Sequence, residues 1–433
     1  MEVTLFPEYV SKWFRAITKR ITETINGSKE APKYLFQSML RKEYSPDLKW
    51  EQTNIDKSIV AADIVSMDSE LPLKKRDSLG RASGDLPKSG MKLIKGEKDI
   101  SNINIMRARG ANETQIVQKI FNDVPKCVSG IYERMEYVFL KGLSTGMGLV
   151  PDSDNVGTGI RIKYNYLDKN KFGVTVKWGE EGYAPLSDIS RVLETASAAG
   201  HTIIKIMLSR AAFNKIRTSQ QGKELAANFA GQVIISAATL PTPTPEKFKD
   251  AFRDEYGVEL ETVDRSVRIE KNGKQTPVKP FAENALVFLT TDQVGTLFYG
   301  TLAEETNPVK SVEYQKVDDY ILVSKYSKND PLQEFTSSQA LVVPIIENVE
   351  EIYLLDTDDA QPVNPAETEG DANITVYDKK YVKAEVINVM KGAGIKVAVN
   401  ISDAKLIEKI NTLSAEDEAK VKAAIEALTP VTE

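Results

Sequence analysis

A long apolar stripe between residues 112 and 143 most constrains how this chain can fold. Apolar side chains recur there at three- and four-residue steps: Ile116, Ile120, Val124, Cys127, Ile131, Met135 and Val138. This spacing places them on one face of a helix. Asn112 and Gln115 have the spacing of a capping box at its start, and a continuous helix to Leu143 would be about 45 Å long. We predict this helix, kinked at Pro125 and Gly130.

Helix and strand patterns alternate through the rest of the chain and predict an α+β fold. A short amphipathic helix is expected near residues 10–25, and residues 187–199 and 246–256 have the same periodicity. Residues 159–164 and 173–178 alternate like strands and are expected to form a hairpin. Residues 258–355 are mostly strand-like. With 433 residues, the chain is long enough for two or three structural units.

The stretch LPLKKRDSLGRASGDLPKSGMKLIKG, residues 71–96, is rich in glycine and basic residues. Strand-like residues flank it at 59–68 and 91–94, which predicts a hairpin with a very long tip. Residues 74–98 carry eight Lys and Arg against three Asp and Glu, whereas residues 350–433 carry nine against seventeen. Such an asymmetry allows one copy of the chain to attract another.

The same stretch does not fit a phosphate-binding loop or a dedicated nucleic-acid site. Neither Gly84 nor Gly90 is followed by the G-K-[ST] register, and Gly80 to Gly84 lacks dinucleotide-binding spacing. Residues 51–120 contain no aromatic side chain on which bases could stack. The net charge of −6 also argues against a nucleic-acid binder. Only a weak contact with phosphates stays open.

The inventory of reactive side chains predicts that the chain is not an enzyme. His201 is the only histidine and Cys127 the only cysteine, so Cys/His metal sites and histidine-based catalysis have almost no candidates. We expect His201 to be structural and Cys127 to lie in the core. Neighbouring acids such as Asp318 and Asp319 would point to opposite faces of a strand. No secretory signal or membrane span is expected, and the single cysteine fits a reducing compartment.

Two segments resemble the major capsid proteins of tailed bacteriophages, near the lambda-type major capsid protein E group. They are GHTIIKIMLSRAAFNKIRTSQQGKELAA (200–227) and KYSKNDPLQEFTSSQALVVPIIENVEEIYLLDT (325–357). The second contains Asp330-Pro331 and a strand with Ala340 and Pro344. The order of predicted elements over residues 1–357 is similar to that group as well. The resemblance implies the α+β capsid fold of the Hong Kong 97 type.

The resemblance implies a division of the chain into an arm, a loop and two domains. The C-terminal part of the chain departs from the pattern of the group. The expected ranges are an N-terminal arm at 1–58, an extended β-hairpin loop at 59–105, a peripheral domain at 106–231 with its spine helix at 112–143, an axial domain at 232–340, and a return strand of the peripheral domain at 341–357. An acidic linker at 358–372 and a small helical domain at 373–433 follow. The group does not require this last domain.

In function, the resemblance implies a major capsid protein that self-assembles as hexamers and pentamers. These would form the icosahedral shell around the double-stranded DNA genome of a tailed phage, without enzymatic activity, cofactor or metal. Expected partners are further copies of the chain, portal, scaffold and decoration proteins, and packaged DNA through non-specific contacts, but no membrane. The protein is expected in the virion capsid after synthesis in the host bacterial cytoplasm.

The extended loop is expected to contact neighbouring subunits, and the N-terminal arm to clasp another subunit. The candidate basic contacts are Lys74, Lys75, Arg76, Arg81, Lys88 and Lys92. Charge alone selects four candidate acidic partners: Glu180, Glu181, Asp318 and Asp319. Some capsids of this kind join subunits through a Lys–Asn isopeptide bond, for which Lys88 or Lys92 would be the lysine.

Three other interpretations of the sequence stay open. The first is an encapsulin-type nanocompartment shell, which would hold an enzyme cargo in place of DNA. The second is a phage tail tube or sheath subunit, which would assemble as tubes. The third is a carboxylate-dependent hydrolase, against which the single histidine and the lack of metal-ligand spacing count.

Overall fold

The fold is taken from a computed structural model of the chain. It describes residues 4–27, 34–54, 80–150, 160–231, 240–271 and 273–360. It also describes residues 373–376, 379–382 and the single positions 386, 389, 390, 406, 409, 410, 421, 422 and 425. The chain divides into two compact units, Met1–Ala360 and Gln361–Glu433.

The first unit opens with a helix that packs against its own chain. The elements up to residue 95 are α1 (Pro7–Gly27), α2 (Leu35–Met39), β1 (Leu40–Tyr44), β2 (Lys49–Asn54), β3 (Gly80–Asp85) and β4 (Lys88–Lys95). Phe6, Val10 and Phe14 are buried, and the Phe14 ring stacks on Phe121 at 6.0 Å between centroids. The predicted amphipathic helix near residues 10–25 is confirmed. Its buried face packs against its own subunit, and the clasp of a neighbouring subunit expected for the arm stays a prediction.

The predicted hairpin exists, but its strands differ from those expected. Strand β2 pairs with β3 in antiparallel register from Lys49–Asp85 to Asn54–Gly80. The expected strand at 59–68 lies outside the described residues, and 91–94 belong to β4, which pairs elsewhere. Gly84 lies opposite Trp50, and a Cβ at Gly84 would come within 2.9 Å of the indole nitrogen. This glycine therefore makes room for the Trp50 ring.

The long apolar stripe forms two consecutive helices. The next elements are α3 (Glu97–Ala108), α4 (Glu113–Phe121) and α5 (Val124–Thr145). The Asn112 side chain caps α4 by accepting from the Thr114 N–H at 3.0 Å, as predicted for a helix start. The helix breaks before Pro125 and continues through Gly130. Helix α3 occupies residues that the sequence assigned to the extended loop.

Short strands and helices follow α5. They are β5 (Met147–Val150), β6 (Ile160–Lys163), β7 (Lys171–Val174), α6 (Pro185–Ala198), β8 (Lys205–Ser209), α7 (Arg210–Thr218) and α8 (Gln220–Phe229). The hairpin predicted from residues 159–164 and 173–178 is wrong, because β6 pairs with β5 and β7 pairs with the last strand of the unit. Alternation located both strands but carries no information on their partners.

The remainder of the first unit is mostly strand, as predicted for residues 258–355. Its elements are α9 (Pro245–Tyr256), β9 (Glu259–Val263), β10 (Val267–Lys271), β11 (Lys274–Val278), β12 (Ala285–Leu289), β13 (Gly295–Gly300), α10 (Ala303–Thr306), β14 (Glu313–Val317), β15 (Ile321–Lys328), β16 (Gln333–Ile346) and β17 (Tyr353–Ala360). The expected strand that contains Ala340 and Pro344 is the second half of the longer β16.

Two sheets organise this unit. The central sheet has the order β1-β13-β16-β15-β14, with β4 also paired to β16. Helix α5 packs across β16, and Ser338 donates to the Cys127 carbonyl at 2.8 Å. The second sheet has the order β7-β17-β12-β8-β9, with helices α6, α7 and α9 contributing buried residues to its core.

The cores of these sheets divide the chain differently from the expected domains. Strands β8 and β9 come from either side of residue 232 but pair in parallel in the second sheet. Strands β13 to β15 and the first half of β16, within the range expected for the axial domain (232–340), lie in the central sheet over α5. Long-range strand pairing, which no local pattern encodes, therefore sets the boundaries.

The second unit is small. It contains the antiparallel pair β18 (Asn373–Val376) and β19 (Lys379–Val382). Its buried apolar residues in helical conformation are Val386, Met390, Leu406, Ile410, Val421 and Ile425. The domain at 373–433 was expected to be helical, but Tyr381 belongs to β19 and pairs with Ile374.

Candidate inter-subunit surface

The basic residues selected from the sequence fall into three groups. Lys74, Lys75 and Arg76 lie outside the described residues. Arg81 lies in β3 opposite Thr53. Lys88 and Lys92 lie in β4, where both are exposed. The last two belong to the central sheet, not to the tip of a loop.

Strand register defines the face that Lys88 and Lys92 share. Lys92 lies opposite Ser337, and Lys88 opposite Leu341. Ser338, the residue that follows Ser337 in β16, points toward α5. Because side chains alternate along a strand, Lys88 and Lys92 project from the face turned away from α5.

An aromatic pair lies beside Lys92 on this open face. The Lys92 ammonium lies 5.4 Å from the centroid of the Phe335 ring. Phe335 stacks on Tyr326 with centroids 5.0 Å apart and an interplanar angle of 11°. Ile94, on the same face of β4, is 51% exposed. The face therefore combines the exposed cation of Lys92 with the exposed apolar side chain of Ile94, beside the buried Phe335 ring.

Of the four acidic candidates, Asp318 and Asp319 lie near Lys42 of the same subunit, whereas Glu180 and Glu181 are exposed. Asp318 pairs with Lys42 and accepts from the Tyr132 hydroxyl at 3.0 Å, with a side chain only 10% exposed. This contact makes Asp318 part of the subunit's own structure. Asp319 is 71% exposed and lies 3.7 Å from Lys42. Glu180 and Glu181 are both exposed, and no ion pair within the described ranges involves them.

Backbone geometry holds Glu180 and Glu181 in a fixed turn. Gly179 and Gly182 flank them with φ of 107° and 84°, a region that disfavours other residues. Trp178, which precedes the turn, is buried, and its indole N–H donates to Asp188 at 2.9 Å. The Trp178 N–H also donates to the Thr357 carbonyl at 3.1 Å, which brings Asp358 beside the turn.

The sequence missed a buried cluster of charges at the end of β4. Lys95 is buried, pairs with Asp123 and donates to Asn122 at 2.6 Å. Lys325 and Glu334, both fully buried, lie 3.3 Å apart. Glu334 also accepts from the Thr4 hydroxyl and from the Leu5 N–H, the latter at 3.0 Å. The cluster thus joins the chain start, β4, the α4–α5 break and the central sheet.

Burial shifts the pKa of one member of this cluster, Lys325. Desolvation lowers the pKa of Lys325, and the Glu334 carboxylate opposes that shift. A cleft of about 200 Å3 lies over the Lys95–Asp123 pair, with Asp99 and Lys119 among the residues at its wall. No group of three His, Cys, Asp or Glu side chains suited to a metal occurs in the part of the chain that the structure describes.

A second polar cluster anchors α2 to α5. The buried carboxylate of Glu136 accepts from the Leu35 and Phe36 N–H groups, each at 3.1 Å. Arg265 bonds Glu133 at 2.7 Å and lies 4.5 Å from the Tyr34 ring centroid. Burial raises the pKa of Glu136, whereas the two backbone N–H groups lower it. These contacts hold α2 against α5.

The two residues with catalytic potential have packing roles. His201 Nδ1 lies 2.7 Å from the Tyr353 hydroxyl. Cys127 is fully buried against β16, and burial raises the pKa of its thiol to about 12. A thiol with such a pKa is a poor nucleophile at neutral pH. None of the described helices is long and apolar enough to cross a membrane.

Comparisons with known proteins give distant structural likenesses. No protein-family model and no curated protein sequence matches the chain. Among solved structures, a prophage protein of E. coli CFT073 named as a capsid protein is 14% identical, with 78% of this chain and 98% of that chain covered and a TM-score of 0.48. The capsid of cyanophage A-1(L) is 11% identical, with coverage of 78% and 95% and a TM-score of 0.45. The holo-SrpI encapsulin complex of Synechococcus elongatus PCC 7942 is 10% identical, with coverage of 78% and 92% and a TM-score of 0.36.

Proposed function

We propose that this chain is a major capsid protein of the Hong Kong 97 type. It would assemble as hexamers and pentamers into the icosahedral shell that encloses the double-stranded DNA of a tailed phage. Two segments, residues 200–227 and 325–357, carry the sequence resemblance to such proteins. The order of an N-terminal helix, a β ribbon, a long helix and a central sheet agrees with that proposal.

The observation that carries the proposal is the ribbon of β2 and β3. Within the described ranges, these two strands pair only with each other, so both outer edges of the ribbon lack partners. The chain then passes from β3 directly into β4 of the central sheet. Unpaired strand edges favour pairing with another chain. A ribbon that grows out of the core is therefore suited to reach a neighbouring subunit.

An enzymatic role has little support in the described residues. His201 and Cys127 are engaged in separate packing contacts, and neither lies beside the other. An encapsulin-type shell would share the same assembly principle but would contain a protein cargo in place of DNA. Portal, scaffold and decoration proteins, and packaged DNA, belong to the proposal as partners. Its location would be the virion, after synthesis in the host cytoplasm.

Electron microscopy of the purified chain, alone and with a co-expressed scaffold, tests the proposal. We expect closed shells, and particles recovered from infected cells should contain DNA. Tubes or a stable monomer under all these conditions would overturn it. A DNA-free shell that retains an enzyme would instead favour the encapsulin alternative.

A matched variant tests the segment that connects β2 to β3. Residues 55–79 would be replaced by Asn-Gly, which can close a two-residue hairpin between Asn54 and Gly80, the last pair of β2 and β3. The variant should remain folded, because β3 and β4 are retained, but should not close shells. Normal shells from this variant would show that residues 55–79 are not an assembly element.

A further inference from the structure

Three lysine side chains are exposed on the open face of β4 and the neighbouring strands, and the Lys92 ammonium also lies over the Phe335 ring. Lys88, Lys92 and Lys328 are exposed, and within the described ranges no carboxylate pairs with any of them. Lys88 and Lys92 are four residues apart on one strand, about 13 Å at 3.3 Å per residue. Lys328 is the last residue of β15 and pairs with Gln333 of β16. The next residue of β16, Glu334, pairs with Lys95 of β4. We name Lys88, Lys92 and Lys328 the β4 basic face.

A complementary surface exists elsewhere on the same chain. Glu180 and Glu181 are exposed in a turn that Gly179 and Gly182 shape and buried Trp178 anchors. Asp358 lies beside the turn, 3.5 Å from Lys177. We name Glu180, Glu181 and Asp358 the acidic turn. Because its backbone is already held in place, little conformational entropy would be lost when the turn binds a partner.

We infer that the β4 basic face of one subunit binds the acidic turn of the next subunit in a capsomer. This inference rests on the proposed function and names the surfaces that meet. The two surfaces differ, so the contact is head-to-tail. Such a contact generates a closed ring when the rotation between subunits closes. A ring of identical subunits needs one contact of this kind at every boundary.

Two observations favour a second copy of the chain over nucleic acid as the occupant. Ile94 is 51% exposed on the same face, and an apolar side chain at a cationic surface suits a protein partner. Gln339, which lies opposite Gly90 of β4, donates from its Nε2 to the Glu304 carboxylate at 3.1 Å, so a negative charge lies on the same face. A phosphate backbone would be repelled there. The net charge of −6 also ensures that acidic surfaces are available on each copy.

Charge reversal on both sides tests the contact. Lys88→Glu/Lys92→Glu and Glu180→Lys/Glu181→Lys should each lower the yield of capsomers and shells by on the order of tenfold or more. The quadruple variant restores opposite charges at every boundary and should recover assembly. A mixture of the two double variants should also associate, because each boundary between unlike copies is complementary. Lys169→Glu/Lys247→Glu is the control, because it changes the charge by the same amount. Both lysines are exposed and have no ion pair within the described ranges, so this variant should assemble normally.

The outcomes separate this inference from the proposed function. Circular dichroism would establish that each variant is folded, and Lys88→Gln/Lys92→Gln would replace the reversal if it is not. Shells from the wild type together with normal assembly of the double variants would overturn the inference and leave the proposed function intact. Failure of the quadruple variant would overturn the pairing with the acidic turn. A wild type that forms no shells under any condition would overturn the proposed function itself.

Discussion

The ammonium group of Lys325 lies 3.3 Å from the carboxylate of Glu334, and neither side chain is exposed to solvent. Glu334 also holds the start of the chain through the Leu5 N–H at 3.0 Å. Two buried charges are costly unless they are paired and hydrogen-bonded. Here the pair joins three segments: the residues before α1, which bond Glu334, and the strands β15 and β16, which carry Lys325 and Glu334. It therefore links the docking of the N-terminal helix to the central sheet.

Glu334→Ala should destabilise the first unit strongly. Removing one partner leaves the Lys325 charge buried without compensation, which costs about 3–5 kcal/mol. Urea unfolding followed by tryptophan fluorescence measures this loss. Lys325→Met/Glu334→Leu should regain most of the stability, because apolar residues of similar volume need no partner.

The exposed pair of Lys279 and Glu283 provides the control. Their side chains are 52% and 62% exposed, at a nitrogen–oxygen distance of 3.2 Å. Glu283→Ala should leave the urea midpoint nearly unchanged, because solvent screens such pairs. Equal losses from Glu334→Ala and Glu283→Ala would contradict the assigned role of burial.

Glu136 should make the protein's stability depend on pH. Burial raises the pKa of its carboxyl above the usual 4.5. A group whose pKa is higher in the folded state contributes stability while it is protonated and loses that contribution as the pH rises through the folded value. The wild type should therefore lose stability relative to Glu136→Gln as the pH rises above 4.5. Urea midpoints of both proteins across a pH series measure the difference.

Glu113 supplies a control in which the stability should change with pH in the opposite direction. Its bonds with Lys12 and Trp13 lower the pKa of its carboxyl below 4.5. Stability from a lowered carboxyl pKa is present above the unfolded value and is lost as the pH falls through the folded value. The wild type should gain stability relative to Glu113→Gln as the pH rises. Parallel slopes for the two variants would refute the assigned environments.

Cys127 should resist alkylation in the folded protein. Its side chain is fully buried, and burial raises the pKa of the thiol to about 12. We expect its reaction with iodoacetamide at neutral pH to be on the order of a thousandfold slower than in urea-denatured protein. Ser101 lies exposed on α3, so Ser101→Cys should label rapidly under native conditions. Rapid native labelling of the wild type would place Cys127 at the surface.

Local patterns predicted the elements better than their partners. The stripe from Ile116 to Val138 located α4 and α5, because helical periodicity depends only on neighbours in sequence. The break before Pro125 also follows from a local cause, the missing backbone donor of proline. The pairing of β7 with β17, by contrast, joins residues more than 180 positions apart. Nothing in either segment specifies the other.

The candidate surface shows the same limit. Charge alone puts the lysines of β4 in one group. In the strand, lysines at even and odd positions lie on opposite faces. Lys88 and Lys92 lie on the open face, whereas Lys95 lies on the opposite face and pairs with Asp123. Parity could have identified Lys95 had β4 been predicted over its full length. The role of Asp318 depends on Lys42, which is remote in sequence, and no local signal indicates it.

The first unit should fold without the second. The division falls between Ala360 and Gln361, at the end of β17. A chain that ends at Ala360 retains both sheets and should unfold at the same urea midpoint as the full chain. Tryptophan fluorescence is a suitable probe because Trp13, Trp50 and Trp178 all lie in the first unit. A midpoint lower by more than about 1 M urea would show that the second unit supports the first.

Gly130 permits close contact between α5 and β4. A Cβ at this position would lie 2.1 Å from the Met91 sulfur, well inside van der Waals contact. Glycine inside a helix costs up to about 1 kcal/mol relative to alanine, so Gly130→Ala would be stabilising if the site had room. We expect it instead to destabilise the unit by about 1 kcal/mol, because the added methyl group overpacks the interface. In a Met91→Ala background the sign should reverse, since the obstructing side chain is gone. A double-mutant cycle by urea unfolding measures both steps, and a stabilising Gly130→Ala in the wild-type background would show that Met91 moves aside without cost.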